Sequence, residues 1–311
     1  MATLVINTSL DMSAGFGVTG DNGVAITSSN SVQTSTEFVA NVTNGNVFTY
    51  TGSGFTFDKD QNLLTGTITG VSETGADNYT LTNASVPVSV ANSLAGANHN
   101  NVLGLDALFL QGNDSIVGSG NDTLKGSGSG NNTINAGNGN DFIHGGTGSD
   151  VITVGSGNDT INVVSADITE GGGNYQINGT GATNTITITG SGTNIVHGGN
   201  GSIVDNGSGN DLIYTTKAGP HTVTAGSGDD TIVVRDGIAL AANATNMTVN
   251  NFTSGHDEIA LSQSAGEHLF NSANLASSIA SHISGNTFTA GDLTINFVGH
   301  TPVAADFVLV A

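Results

Sequence analysis

Cysteine and tryptophan are absent from this sequence of 311 residues, and aromatic residues make up only 5% of it. Without cysteine the chain cannot be stabilised by disulfide bonds, which small exported domains commonly use. The scarcity of aromatic side chains argues against a broad aromatic core, while 46 glycines favour a fold with many tight corners. A solenoid, which buries a narrow ladder of small branched residues, fits this composition.

Positive charge is nearly as scarce as aromatic residues. Lys and Arg together number 4 against 25 Asp and Glu, which gives a formal net charge of −21. Nucleic acid binding is excluded as a function, because contacts to phosphates require a basic surface. Such an excess of carboxylates opposes compaction by self-repulsion, which bound cations relieve. Because carboxylates are hard oxygen ligands, the composition points to calcium.

Long apolar runs are also missing. No stretch approaches the roughly 18 consecutive apolar residues that a membrane helix requires, so no transmembrane segment is expected. The first residues, from Met1 to Ile6, contain neither a positively charged region nor a long apolar one. A cleaved secretory signal is therefore not expected at this end.

What the sequence does contain is a nine-residue repeat over residues 112–234. Three consecutive copies begin at Ala136, Gly145 and Val154, each with aspartate at the sixth place and a branched apolar residue at the eighth. Each copy predicts a glycine-rich turn, one carboxylate that points out of this turn, and a short strand whose apolar side chain faces inward. This nonapeptide pattern indicates a parallel β-solenoid that binds calcium.

Two copies are expected to complete one coil, so each aspartate should lie over the aspartate two copies away, at the strand spacing of about 4.8 Å. This stacking pairs Asp122 with Asp141, Asp141 with Asp159, and Asp211 with Asp230. A divalent cation between two such carboxylates turns their repulsion into coordination, and the turn glycines let backbone carbonyls supply further oxygens. The competing interpretation is a metal-free solenoid whose aspartates merely favour turns.

The predicted calcium ligands are the sixth-place side chains together with the fourth-place glycines. They are Asp114, Asp122, Asn132, Asp141, Asp150, Asp159, Asp211, Asp230, Gly120, Gly139, Gly148, Gly157, Gly209 and Gly228. Asn132 stands in the acid's place and offers only a neutral oxygen, so its site should be weaker.

The centre of the array, roughly residues 165–205, has few aspartates. Ile177, Ile186 and Ile195 nevertheless keep the nine-residue period. We therefore predict that the solenoid continues through this segment without strong metal sites, held by its apolar ladder. Asp167 and Asp205 are accordingly expected to matter far less for calcium-driven folding than the sixth-place acids.

The segment before the array, residues 1–105, contains short alternating runs separated by Gly and Asn clusters, which predicts an antiparallel β domain of hairpins. Residues 58–62 resemble the start of an EF-hand loop, but Leu63 and Thr69 stand where that loop needs glycine and glutamate. A polar hairpin turn is the preferred interpretation. The apolar residues 101–110 are expected to cap the first coil.

The segment after the array, residues 236–311, predicts a β-rich cap. Leu275, Ile279 and Ile283 recur at four-residue spacing, which indicates one short helix with Asn271 or Ser272 as its N-cap. The alternating residues 293–298 predict a final strand.

The repeats resemble those of the RTX (repeats-in-toxin) family of secreted bacterial proteins. Residues 118–124 and 226–232 follow the consensus sequence of that family closely. Residues 251–259 are similar to the segment that often follows such arrays, and residues 305–311 are similar to the uncleaved C-terminal signal read by type I secretion. The resemblance implies an all-β fold with a parallel β-roll at 106–235, between an N-terminal β domain at 1–105 and a cap at 236–311. It also implies several Ca²⁺ ions, the type I secretion machinery as a partner, and folding by calcium outside the cell.

The repeat alone does not give the function, because the family includes toxins, proteases, lipases, epimerases, adhesins and surface-layer proteins. Residues 1–105 contain neither His-Glu-x-x-His nor Gly-x-Ser-x-Gly, so no enzyme and no catalytic residues are expected. His144 is expected to face solvent. The expected function is that of a secreted structural protein that self-assembles at the cell surface as a surface layer, filament or biofilm matrix, with cell-surface polysaccharide as a candidate partner. The alternatives are a polysaccharide-modifying enzyme, an adhesin or a membrane-acting effector.

Overall fold

A computed structural model describes residues 3–6, 32–41, 47–57, 63–74, 79–87, 112–126, 128–179, 185–198, 201–215, 221–234, 245–262, 270, 274–291 and 293–310. The chain divides into two compact units, Met1–Ile152 and Thr153–Ala311. The EF-hand-like residues 58–62, the apolar run 101–110 and the predicted N-caps Asn271 and Ser272 lie outside the described residues.

The first unit is built from short strands. They are β1 (Thr3–Ile6), β2 (Val32–Gln33), β3 (Glu37–Asn41), β4 (Val47–Phe57), β5 (Leu63–Thr74), β6 (Tyr79–Thr82), β7 (Val86–Pro87), β8 (Ser115–Val117), β9 (Thr123–Lys125), β10 (Thr133–Gly137) and the beginning of β11 (Phe142–Gly179). Strand β11 is a continuous run of extended backbone that passes through several repeat copies and continues into the second unit.

The N-terminal part of the first unit is an antiparallel meander, as its alternating runs predict. Strands β2 to β6 pair with their neighbours in sequence, and β7 pairs with β5. Phe48, Phe55, Ile68 and Leu81 form its buried core. Each such side chain contributes roughly 1.5–3 kcal/mol through burial.

Strand β1 joins this meander to the repeats. It pairs antiparallel with β6 on one side and parallel with β8 on the other, with Leu4 in register with Ile116. The first strand of the chain therefore covers the edge of the first repeat strand and leaves no open edge there. From β8 onward the pairing is parallel, with Ile116 beside Ile134 and Leu124 beside Ile143.

The second unit continues with β12 (Thr185–Thr189), β13 (Thr193–His197), β14 (Ser202–Asp205), β15 (Leu212–Thr215), β16 (His221–Thr224), β17 (Thr231–Val234), β18 (Thr245–Asn250), β19 (Glu258–Ser262), helix α1 (Leu275–Ser281), β20 (Ile283–Ser284), β21 (Thr287–Ala290), β22 (Leu293–Val298), a 3-10 turn (Ala304–Asp306) and β23 (Phe307–Val310). Each repeat strand pairs in parallel with the strand two further along the chain, as a two-strand coil requires.

Two apolar ladders fill the interior of the second unit. One ladder runs through Ile177, Val196, Ile213, Ile232 and Ile259 to Phe307, and the other runs through Ala166, Ile186, Ile203, Val223 and Val249 to Phe297. All of these side chains are buried. The fold is therefore an all-β parallel β-roll, and its parallel pairing extends through β22 and β23 to the end of the chain.

The predicted inward position of Ile195 is wrong. Ile195 is 43% exposed, while Asn194 and Val196 are buried. The coil between Ile186 and Val196 is one residue longer than the nine-residue period assumes, so the side chains alternate in the opposite phase. Ile177 and Ile186 are buried as predicted.

The C-terminal cap contains the predicted helix and final strand. Helix α1 ends at Ser281, and Ile283 lies in β20, where it pairs with Phe288 instead of extending the helix. Asn274 is the N-cap, without a side-chain cap hydrogen bond. Strands β20 to β22 form an antiparallel sheet whose last strand also pairs in parallel with β18. Among the described residues, no helix has the length and apolar character needed to cross a membrane.

Candidate metal centres

The fourth-place glycines are required because adjacent coils approach each other closely at the turns. A Cβ atom on Gly139 would lie 2.0 Å from the carbonyl oxygen of Gly120, and one on Gly228 would lie 2.1 Å from that of Gly209. Both glycines also have positive φ angles, at 141° and 143°. Any other residue would push the coils apart, so glycine keeps the turn carbonyls and the sixth-place acids near one another.

In the first unit, the sixth-place side chains form two buried rows. The backbone N–H of Asp122 donates to Oδ1 of Asp141 at 2.8 Å, and that of Asn132 donates to Oδ1 of Asp150 at 2.9 Å. The N–H of Asp114 donates to Oδ1 of Asn132 at 3.1 Å. Asp122 and Asp141 are therefore stacked as the repeat predicts. One carboxylate oxygen of Asp141 accepts a backbone hydrogen bond from the neighbouring coil. The stacking of Asp141 with Asp159 joins residues of different units and stays a prediction.

The second unit contains a longer row of the same kind. In this row the backbone N–H of each residue donates to Oδ1 of the next. Asn194 donates to Asp211 at 2.7 Å, Asp211 donates to Asp230 at 2.8 Å, and Asp230 donates to Asp257 at 3.1 Å. All four side chains are buried. The stacking of Asp211 with Asp230 matches the prediction, whereas Asn194 and Asp257 extend the row beyond the predicted ligands. Asp257 precedes Ile259 with the same spacing that joins Asp230 to Ile232, so this spacing was the signal that could have identified it.

The fifth-place residues support the turns from the outside. The Asn131 side chain accepts the N–H of Ser149 at 2.9 Å, and the Asn210 side chain accepts that of Asp229 at 2.9 Å. Asn121 binds Asn140 in the same way at 2.8 Å. These exposed amides hold the coils in register from the outside, alongside the hydrogen bonds that the interior acids accept from neighbouring coils.

The expectation that Asp205 matters little for calcium-driven folding stays a prediction, although Asp205 lies inside the roll and close to two of the predicted ligands. Asp205 is 1% exposed, and its carboxylate lies with those of Asp211 and Asp230 so that one oxygen of each is within 4.8 Å of the others. Asp167, in contrast, lies on an exposed position of β11. Asp205 follows an inward position of β14 and carries no repeat signature, so the nine-residue pattern could not identify it.

Two further polar side chains lie inside the predicted metal-poor segment. Glu170 and Asn194 are both buried, and the Asn194 amide donates to Oε2 of Glu170 at 3.3 Å. Within the described residues, no donor reaches Oε1 of Glu170, Oδ1 of Asn194, or Oδ2 of Asp150, Asp205, Asp211 and Asp230. Buried oxygens without donors are costly in a folded protein unless a cation or another ligand satisfies them.

Burial shifts the protonation of these acids. It raises the pKa of Asp211 to about 9, and both the hydrogen bond that a protonated Asp211 donates to Asp205 and the charge of Asp205 act in the same direction. Burial also raises the pKa of Glu170 to about 7 and that of Asp230 to about 6. The pKa of Asp150 and that of Asp257 are raised for the same reason. Protons therefore compete with a cation at neutral pH for the carboxylate oxygens of Asp211 and Glu170.

Tyr175 stands in the acid's place of one copy, in register with Asn194. Its ring is buried, and its hydroxyl donates to the carbonyl oxygen of Gly155 at 2.6 Å while accepting the N–H of Gly172 at 3.0 Å. A neutral hydroxyl thus satisfies a turn carbonyl that would otherwise face the interior. At this position of the roll a tyrosine hydroxyl takes the place of the carboxylate.

Replacing Tyr175 by phenylalanine should destabilise the roll independently of calcium. The Tyr175→Phe substitution removes both hydrogen bonds and leaves the Gly155 carbonyl without that donor, which costs about 1–3 kcal/mol. Urea unfolding in saturating calcium measures the loss. Tyr214→Phe is the control, because it keeps the ring that stacks on His197 at 4.7 Å. A calcium affinity lowered with no change in stability would contradict this role.

His144 lies on an exposed position of β11, as expected, with its ring 5.6 Å from that of Phe142. The buried acidic rows contain no lysine or arginine among the described residues. Their potential ligand atoms are oxygens of carboxylates, amides and turn carbonyls, which suit calcium and not the softer transition metals.

Comparison with known proteins identifies the repeats in the first part of the array. The family model described as the RTX calcium-binding nonapeptide repeat (4 copies) matches residues 110–128 and 126–161. The matched residues include Asp122, Asp141 and Asp150 and end before Glu170. No curated protein matches the chain. The chain therefore contains RTX repeats, which bind Ca²⁺ at several positions.

Proposed function

We propose that the protein carrying these RTX calcium-binding repeats is a secreted structural protein that folds on calcium and self-assembles at the cell surface. The observation that carries the proposal is the set of buried carboxylate rows, Asp122 with Asp141 and Asp211 with Asp230, in a chain with almost no basic residues. Such rows oppose folding until a divalent cation neutralises them.

Secretion is the setting in which this chemistry is useful. Extracellular calcium modules bind at roughly 10⁻⁴–10⁻³ M, so calcium outside the cell would fill such sites. A chain that is unfolded where calcium is scarce and folds outside the cell suits export by the type I machinery, and calcium is a stabiliser that needs no cysteine. We include in this proposal a division of the chain into an N-terminal domain at 1–105, the roll at 106–235 and a cap at 236–311.

Self-assembly is supported by the last strand of the chain. Strand β23 pairs in parallel with β19, and no residue pairing of β23 with a second strand is found among the described residues. Val310 in this strand is 37% exposed, and Val298 and Val303, which precede the strand in the sequence, are 54% and 49% exposed. An open strand edge in a strand with an exposed apolar side chain favours pairing with another chain, and the occupant we propose is a second copy of this protein. The proposal assigns the protein no catalytic role.

Electron microscopy of the purified protein with and without calcium tests the assembly. We expect sheets or filaments in millimolar calcium and none in chelator, because only the folded cap presents the β23 edge. Val310→Lys should weaken assembly while leaving the calcium-bound circular dichroism spectrum unchanged, because a lysine discourages edge pairing. Ser281→Lys, on the exposed end of α1, is the matched control. Single particles in both conditions would contradict assembly, and turnover of acidic polysaccharides would contradict the non-enzymatic role.

A further inference from the structure

Asp205 occupies a place in the roll that other copies fill with an apolar side chain. In β14 it lies in register with Ile188 of the preceding coil. The pairing of Val204 with Thr224 places Asp205 beside Ala225 of the following coil. The equivalent residues of other copies, Val154 and Val163, are likewise buried. A carboxylate has therefore replaced an apolar residue inside the roll.

A lone carboxylate at such a position would be strongly destabilising, because an ion loses most of its hydration there. Asp205 instead lies against Asp211 and Asp230, with one oxygen of each within 4.8 Å of the others. Three carboxylates at this distance repel one another in the absence of a cation. Two oxygens on opposite sides of a calcium ion are separated by about 4.6–5.2 Å, twice the usual calcium–oxygen distance, so the spacing suits one ion between them.

A second observation points to the same ligand. Asn194 is 1% exposed, and its amide nitrogen donates to Glu170 and to the Gly192 carbonyl, both at 3.3 Å. With the nitrogen so engaged, the amide oxygen Oδ1 is left without a donor among the described residues. The Asn194 backbone N–H binds Oδ1 of Asp211 at 2.7 Å, which holds this amide beside the carboxylates.

A fourth acid, Glu170, lies near this group but is not among the three acids whose oxygens are within 4.8 Å of one another. It is 6% exposed, its Oε1 meets no donor among the described residues, and Asp205 is near enough for its charge to act on the Glu170 carboxylate. Glu170 precedes the turn Gly171-Gly172-Gly173, so it comes from a different coil than Asp205. The cluster thus gathers oxygens from several successive coils.

We propose that Asp205, Asp211 and Asp230 bind one calcium ion in a site of their own, with Asn194 and Glu170 completing its oxygen ligands. This inference rests on the proposed calcium binding, but the site differs from the two-acid arrangement of the repeats in its third carboxylate and in lying beyond the residues 110–161 that match the repeat family. The ligand is a hard cation of calcium's size. Mg²⁺ keeps several waters and demands a smaller octahedron, and the cluster has no sulfur or imidazole ligand for a softer metal.

The extra carboxylate makes this site the tightest of the array. Ligand charge is a main determinant of calcium affinity in oxygen sites, and the repeat sites supply two acids or, at Asn132, fewer. The ion should therefore bind here first as calcium rises and order the coils from Glu170 to Asp230. The segment between 165 and 205 then contributes to calcium binding and does not merely separate two metal-rich ends.

Calcium titration of the full-length protein by isothermal calorimetry tests the site, with Asp205→Ala as the variant because alanine occupies the same place at Ala225. The wild type should show one ion bound more tightly than the rest. Asp205→Ala should lose that tight ion or weaken it by roughly tenfold or more, since affinity follows ligand charge. The remaining ions should keep their affinities. Asp167→Ala removes the same charge from an exposed position and should leave every step unchanged.

The outcomes separate this site from the general proposal. A wild type that binds no calcium would overturn the proposed function, whereas a calcium-binding wild type with an identical Asp205→Ala titration would overturn only this site. If Asp205→Ala does not fold, Asp205→Asn keeps the size and one oxygen ligand. Loss of the tight ion in Asp205→Asn supports the site, and an unchanged tight ion contradicts it. Tb³⁺ luminescence on the same variants provides an independent measure of the ion count.

Discussion

In chelator, the full-length protein should show the circular dichroism spectrum of a largely disordered chain, and millimolar calcium should restore a β spectrum. The buried acids Asp122, Asp141, Asp150, Asp211 and Asp230 make the calcium-free fold unfavourable. Each filled site stabilises the folded state by about 1.4 kcal/mol at a calcium concentration ten times its Kd. Several sites together therefore reach the roughly 5–15 kcal/mol that separates folded from unfolded domains.

Magnesium at the same concentration is the control for this experiment. It supplies the same charge but prefers a smaller octahedral shell with several waters, which the dry, closely spaced turns do not provide. Magnesium should therefore leave the spectrum close to that in chelator. Identical spectra in chelator and in calcium would show that the roll folds without metal and that its aspartates only favour turns.

Neutralising Asp141 should raise the calcium concentration needed for half-maximal folding by about 3- to 10-fold, because the number of ligand charges sets calcium affinity. Asp141→Asn is nearly isosteric, and its amide oxygen can still accept the Asp122 N–H that the carboxylate accepts at 2.8 Å. Asn132 already does the same for Asp114 at 3.1 Å. The substitution therefore removes the charge and keeps the backbone geometry, and circular dichroism during a calcium titration measures the result.

Asp167→Asn is the matched control for Asp141→Asn. It removes one negative charge from β11, whose first residue directly follows Asp141, but at an exposed position in register with Thr187. Its calcium midpoint should equal that of the wild type within error. Equal shifts in the two variants would mean that calcium responds to the net charge of the chain and not to the interior acids.

Several parts of this structure could be predicted from the sequence because they are local and repeated. An aspartate two residues before a branched apolar residue, as in Asp141 and Ile143, places both side chains on the inner face of one short strand. Glycines at the fourth place mark the close approach of neighbouring turns, as at Gly139 and Gly228. Each of these patterns is weak in a single copy but strong when it is repeated. The roll and its calcium chemistry could therefore be predicted from the sequence.

The centre of the array could not be predicted in the same way, because its coils differ in length. One additional residue before Asn194 reverses the alternation, so that Val196 is buried and Ile195 is exposed. Counting nine residues from Ile186 cannot detect such a change, because the residue reached, Ile195, is also an isoleucine. Likewise, Tyr175 stands at a sixth place where other copies have an acid. This equivalence is seen only in the structure, where Tyr175 pairs in register with Asn194.

By itself, the sequence determined that the chain coils into a parallel β-roll and that carboxylates line it, because period, glycine turns and inward acids are encoded within single copies. Only the tertiary structure decided which acids meet across coils. Asp205, Asp211 and Asp230 come together because β14, β15 and β17 bring distant residues to neighbouring levels of the roll, with their oxygens within 4.8 Å. Metal coordination depends on such distances between coils, and these depend on the length of every turn between them.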